Sequence, residues 1–184
     1  MSSFIEIQLL ETLNHSRAKR NEVAEYLLRH PESIPDVIDI CGKIDEDISC
    51  KAAWVLEFVC GKDLSVLLPH INAFLSCAKL VYQDPAVRPM AKICEYLTYA
   101  YYKQKTTTLN LTLAQKEKMV ALCFDWLITS QKVAAKAYAM TSLYLLGNDV
   151  EWVHPELKLL LLQNYDKGSA AYKARARKVL KELT

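Results

Sequence analysis

The chain has 184 residues, enough to bury a core in one domain, and its 52% hydrophobic and 24% charged content excludes a disordered chain. Four glycines are few for an all-β protein, whose turns need positive φ. The net charge of +2 is unevenly spread: residues 1–60 carry eleven acidic and six basic side chains, residues 61–184 ten acidic and seventeen basic.

At the amino end, Met1-Ser2-Ser3-Phe4-Ile5-Glu6 lacks a basic segment followed by an apolar run. No apolar run approaches the roughly 20 residues that a bilayer span requires. The expectation is a cytoplasmic protein without a membrane partner. Apolar residues spaced by three and four then predict helices over 4–14, 17–29, 32–42, 46–60, 64–82, 86–104, 113–129, 132–146, 154–166 and 169–183. The fold class is all-α.

Taken in order, Gly42-Lys43 and Gly61-Lys62 lack the upstream glycine and the following Ser or Thr of a phosphate loop, and read as helix ends. Asp45-Glu46-Asp47 lacks the alternation and the glycine of a calcium loop, and reads as an acidic helix start. In 46–60, Ile48, Ala52, Val55, Leu56 and Val59 share a face. Asp84-Pro85 reads as N-cap and first helical residue, whereas Arg88-Pro89 predicts a kink or a later start. Thr112 and Gln115 form a capping box, and Val120, Cys123, Phe124, Leu127 and Ile128 make the apolar face that follows. Ser130 is a candidate cap, and His154-Pro155-Glu156 opens a further helix. Gly61, Gly147 and Gly168 fall where left-handed C-caps are expected.

Chemistry-bearing motifs are missing. His15, His30, His70 and His154 are scattered, and the six cysteines, Cys41, Cys50, Cys60, Cys77, Cys94 and Cys123, contain no C-x-x-C pair. Free cysteines so placed read as small core residues. No serine sits on a glycine elbow. The expectation is no catalytic residue, no metal, no cofactor and no small-molecule substrate.

Repetition is the stronger signal. Ser49–Glu57, Val87–Glu95, Val133–Thr141 and Ala170–Lys178 align on Ala53, Ala91, Ala137 and Ala174, with Val59, Leu97, Leu143 and Leu180 at a common later position. Periods near forty, built of two helices, predict hairpins that bury their apolar sides only by stacking on one another. Residues 45–184 read as these hairpins, 1–44 as atypical capping helices, and the whole as one helical-repeat domain.

These residues resemble the HEAT and armadillo-like superfamily. That resemblance implies a right-handed α-α superhelix of stacked hairpins and a protein-binding role. The strings KAAWVLEFVCGKDLSVLLPH, AVRPMAKICEYLTYAYY, KVAAKAYAM and KARARKVLKEL are also similar to a group of small bacterial helical proteins that often carry the label adenylosuccinate lyase by transfer. The lyase family uses a serine-bearing, glycine-rich loop and a Met-Pro-x-Lys-x-Asn segment; this chain has neither, so no lyase residues carry over. Helical-repeat DNA glycosylases, similar in architecture, line a basic groove with tryptophans around an aspartate. Asp125, Trp54, Trp126 and Arg88 could imitate that set, although Trp126 falls on the apolar side with Leu122 and Cys123.

In the repeat register, Cys50, Trp54 and Glu57, then Arg88, Lys92 and Glu95, then Ala134, Tyr138 and Thr141, then Ala171, Arg175 and Lys178 form stripes. Tyr99 and Tyr102 extend the second stripe. Tyr, Trp and Arg dominate interfaces because they cover much area at low entropic cost. The sequence therefore points to a scaffold whose protein or peptide partner meets Trp54, Arg88, Lys92, Glu95, Tyr99 and Tyr138. The alternative is nucleic-acid binding by the basic carboxyl end, through Arg175, Arg177, Lys178 and Lys181.

Overall fold

A computed structural model describes residues 5–6, 16–104 and 109–183, and the described residues form nine α-helices and no strand. They are α1 Arg17–Arg29, α2 Ile34–Cys41, α3 Asp47–Lys62, α4 Ile71–Leu80, α5 Asp84–Tyr99, α6 Leu113–Ile128, α7 Val133–Leu146, α8 Val153–Asn164 and α9 Ala170–Glu182. Short 3-10 turns over Pro31–Ser33 and Leu64–His70 precede α2 and α4, and a π-turn, Ala100–Gln104, follows α5. The helix expected over 4–14 lies outside the described residues except at Ile5 and Glu6. Among the described residues no helix is long and apolar enough to cross a membrane.

The helix expected over 64–82 divides because Pro69, inside that span, has no N–H to give the α-ladder. A 3-10 turn accommodates it, begun by Asp63, whose carboxylate accepts from the Ser65 amide at 2.9 Å. The capping box forms as expected: Thr112 N–H donates to Gln115 Oε1 at 3.0 Å and Gln115 N–H to Thr112 Oγ1 at 3.2 Å. Ser169 caps α9 with a single bond, its hydroxyl oxygen accepting from the Tyr172 amide at 3.3 Å. Ser130 is not a cap, since Lys132 holds that position for α7.

The glycines depart from expectation. Gly61 lies within α3, and Gly147 has φ −62°, so neither ends a helix in the left-handed region. Gly147 is required for space instead. Its missing Cβ leaves room for the His154 ring, whose Nε2–H donates to the Tyr144 carbonyl at 2.8 Å. That carbonyl belongs to the last turn of α7, where no helical donor remains.

The chain comprises two compact units, Met1–Ile93 and Cys94–Thr184, with the boundary inside α5. In the first unit α3 packs against both α1 and α2, and α2 packs against α4. In the second, α7 packs against α6, α8 and α9, and α8 against α9. Contacts thus run both between successive helices (α2 with α3, α6 with α7, α7 with α8, α8 with α9) and between alternate ones (α1 with α3, α2 with α4, α7 with α9). Side-chain links recur at one spacing as a result: Lys43–Glu6, Lys62–Glu25 and Tyr82–Asp45 each span 37 residues, and Tyr144–Glu182 spans 38.

Burial fills both units with aliphatic side chains. Leu27, Ile34, Leu56, Leu67 and Phe74 are closed off in the first, Met119, Met140 and Leu143 in the second. Each such side chain contributes on the order of 1.5–3 kcal/mol of transfer free energy. Ala53 and Ala91 are fully buried as the alignment requires, but Ala137 is half-buried and Ala174 exposed; Ala176 takes the buried place in α9. Alanine-rich helices offer several registers, and only packing selects one. Of the apolar face expected on α6, Val120, Cys123 and Leu127 are buried and Phe124 is half-buried, while Ile128 is 62% exposed; Met119, Leu122 and Trp126 are buried beside them.

Candidate functional site

In the first unit three alternate helices lie side by side and carry a cluster of arginine and tryptophan. The helix α1 buries Val23, Ala24 and Leu27, which leaves Arg17 and Arg20, one turn apart, on the flank toward α3. The outer side of α3 carries Lys51, Trp54 and Phe58, all half-buried. Arg17 sits over the Phe58 ring at 5.9 Å and Arg20 over the Trp54 ring at 4.4 Å, within cation–π range.

Pro89 sets the position of Trp54. Lacking an N–H, it cannot donate to the carbonyl four residues back, Pro85 O. The Trp54 indole N–H donates to that oxygen at 2.8 Å instead. One turn further along α3, the nearly closed Glu57 carboxylate accepts both arms of Arg88, Nη1 to Oε1 at 3.0 Å and Nη2 to Oε2 at 2.6 Å. This is the fork-on-fork geometry that makes arginine–carboxylate pairs strong. Burial, then the Arg88 charge, push the Arg20 pKa below the ordinary arginine value, while Glu57 opposes them. Two guanidiniums thus lie within electrostatic reach of one carboxylate. Lys92 stands one turn beyond Arg88 on α5.

The second unit shows a similar tie. Arg175 of α9 donates through Nη1 to Glu95 Oε1 at 3.1 Å, to the Ala137 carbonyl at 3.4 Å and to Thr141 Oγ1. Tyr138 is half-buried and Tyr99 is 49% exposed. Of the basic residues expected to meet nucleic acid, Arg175 is committed to this knot and Arg177 Nε donates to Tyr165 Oη at 3.2 Å. Lys178 and Lys181 are exposed.

A further network surrounds the π-turn. Lys116, buried on α6, donates to Tyr101 Oη at 2.9 Å and to Asp149 Oδ2 at 2.7 Å, and Tyr102 Oη–H donates to the same carboxylate oxygen at 2.7 Å. Burial works against the Lys116 ammonium, but the hydrogen bonds to Asp149 and Tyr101 hold its pKa above the ordinary lysine value. The hydrogen bond from Lys116, then that from Tyr102, keep the Asp149 carboxyl below the usual range. A lysine held protonated in this way is a fixed charge, not a nucleophile.

The expected residues therefore separate. Trp54, Arg88 and Lys92 belong to the first unit; Glu95, Tyr99 and Tyr138 belong to the second. Within the first unit the fold joins Trp54 and Arg88 through Arg20 and Glu57. The glycosylase-like set does not form a lined groove, because Trp126 is 4% exposed and belongs to the core. Asp125, its neighbour, is exposed.

Sequence reasoning missed Arg17, Arg20 and Phe58, and also the Lys116–Asp149 pair. Arg20 precedes Trp54 by about the spacing expected from the sequence alignment, so carrying that alignment back into α1 could have found it. Nothing in the sequence marks Lys116 as buried. It also missed that Trp152, 54% exposed, stacks on Phe124 at 5.5 Å and 17°.

Comparison of the chain with protein-family models, curated proteins and solved structures finds no match.

Proposed function

We propose that the chain is a non-enzymatic interaction protein of HEAT- or armadillo-like hairpins, whose first unit receives a protein or peptide on the face formed by α1, α3 and α5. The observation that supports this reading is the row of alternate helices itself. It gathers Arg17, Arg20, Trp54, Phe58, Arg88 and Lys92 from three separated segments onto one partly exposed face. Arginine and large aromatic groups held in fixed geometry suit partner recognition, since little side-chain entropy remains to be lost on binding. Glu57–Arg88 and Trp54–Pro85 act within this reading as ties that fix the spacing of α3 and α5.

A photocrosslinking residue placed at Lys92, on this face, and another at Lys79, exposed on α4, provide the test. Protein adducts from position 92 and not from 79 are expected. Equal yields at both positions would dismiss the face. Adducts abolished by nuclease would transfer the reading to nucleic acid.

A further inference from the structure

We infer that Cys77 is an oxidation site, and that Cys41 is the thiol with which it closes a disulfide when a hydroperoxide reaches it. The inference goes beyond the partner reading and does not depend on it.

The packing of α2 on α4 brings the two sulfurs together. Cys41 is the last residue of α2, and Cys77 lies within α4. The Ser49 hydroxyl donates to the Cys41 carbonyl at 2.7 Å, which anchors the end of α2 and holds its thiol in place. From there the Cys41 S–H donates to the Cys77 sulfur, so the thiols meet directly across the seam. They are not equally sheltered. Cys41 is fully closed off, whereas Cys77 is 7% exposed, and Ala73 and Leu80, one turn to either side of it, are at the surface.

The same contact separates their roles. The hydrogen bond from Cys41 draws the Cys77 pKa below the ordinary cysteine value, although burial and the Asp39 carboxylate oppose it. Burial first, and the bond to Cys77 second, hold the Cys41 thiol well above that value. The thiolate is the attacking form, so the sulfur nearer the surface is the nucleophile and its neighbour the resolving thiol. With hydrogen peroxide, the Cys77 sulfur attacks one oxygen and the O–O bond breaks. The departing hydroxide takes the proton that Cys77 has lost, leaving a sulfenic acid and water. The Cys41 sulfur then attacks the Cys77 sulfur; the S–S bond forms, the S–O bond breaks, and hydroxide leaves with the Cys41 proton as a second water. The thiol pair gives up two electrons and the peroxide receives them.

The remaining cysteines lack this combination. Cys60 is near enough to Cys41 to raise its pKa, but burial, then Asp63 and Glu57, push its own thiol far up. Cys50 is half-buried and donates to Gln83 Oε1 at 2.9 Å, and burial, then Asp47, raise its pKa. Cys94 and Cys123 are also in contact, yet both are fully closed off. Among the described residues no three cysteine, histidine or acidic side chains are arranged to hold a metal ion.

The experiment treats the reduced, folded full chain with hydrogen peroxide, alkylates it, and maps tryptic peptides by mass spectrometry without reductant. Trypsin places each of the six cysteines on a separate peptide. A Cys41–Cys77 linked pair, lighter by two hydrogen atoms, is expected, while Cys60, Cys94 and Cys123 remain thiols. In Cys41→Ala the sulfenic acid has no resolving thiol, and dimedone should label Cys77 about tenfold or more above the wild-type level. Cys77→Ala should show neither the link nor the label. Circular dichroism checks each fold, and Cys60→Ala, which should form the same link as the wild type, stands in if Cys41→Ala does not fold. A wild type in which Cys41 and Cys77 stay unlinked overturns the inference. So does a Cys41–Cys60 link in place of the expected one, or a Cys94–Cys123 link that forms as fast, since contact alone would then be the cause.

Discussion

Pro89 deprives α5 of one backbone donor, and the loss is made good by a side chain from another helix. This predicts an energetic coupling between two residues that share no sequence motif. Trp54→Phe removes the indole N–H and should cost about 0.5–1.5 kcal/mol in the wild-type background. In a Pro89→Ala background the restored amide can serve Pro85 O, and the same substitution should cost less. Urea denaturation of the four proteins in the cycle measures the difference; equal costs in both backgrounds would remove Pro89 as the reason for the Trp54 position. The sequence showed Pro89 as an awkward residue inside a helix and Trp54 as an aromatic on a stripe. It did not show that each answers the other, because a hydrogen bond across 31 residues depends on how α3 and α5 are set side by side.

Among the elements, local chemistry fixed most boundaries and tertiary contact changed the rest. The Thr112 capping box is complete within four residues and was legible for that reason. The end of α7 fell at the expected residue, Leu146, but the reason for it was not legible. Gly147 has an ordinary helical φ, and its role is to admit the His154 ring that caps the Tyr144 carbonyl. Gly147→Ala should therefore destabilise the protein by about 1–3 kcal/mol through overpacking. Combining it with His154→Ala should recover part of that cost beyond the loss from His154→Ala alone. A full, additive penalty in the double variant would show that the ring is not what the glycine accommodates. Similarly, the buried side of α6 could not be chosen from spacing, since apolar residues occupy more of that helix than one face can hide. Phe124, left half-buried, is covered in part by the stacked Trp152 ring.

For the molecule as a whole, stability against pH should depend visibly on one buried lysine. Asp149 is held below the ordinary carboxylate range by Lys116 first and Tyr102 second. Its contribution is therefore complete above the unfolded value near pH 4, by the model-peptide scale, and is lost as pH falls through the lower folded value. Lys116 is shifted upward, so its contribution is complete below the unfolded value of about 10.4 and is lost as pH rises through the folded one. Asp149→Asn should lower the urea midpoint near neutral pH, and the gap from wild type should narrow as pH drops below about 4. A gap independent of pH would mean that the pair contributes shape and not charge. The uneven spread of charge along the chain holds no hint of this, because net charge ignores which ammonium group is withdrawn from water.

Helical content and the spacing of apolar residues were written into the sequence, since each arises from neighbours within a few turns. Some residues 37 or 38 apart become neighbours. What meets there was decided by the tertiary structure alone. The stripe of Trp54, Arg88, Glu95 and Arg175 looks in sequence like a row of outward groups, yet most of these residues grip the adjoining helix. A side chain at the seam of two helices can face either solvent or its neighbour, and only the distance and rotation between helices settle which.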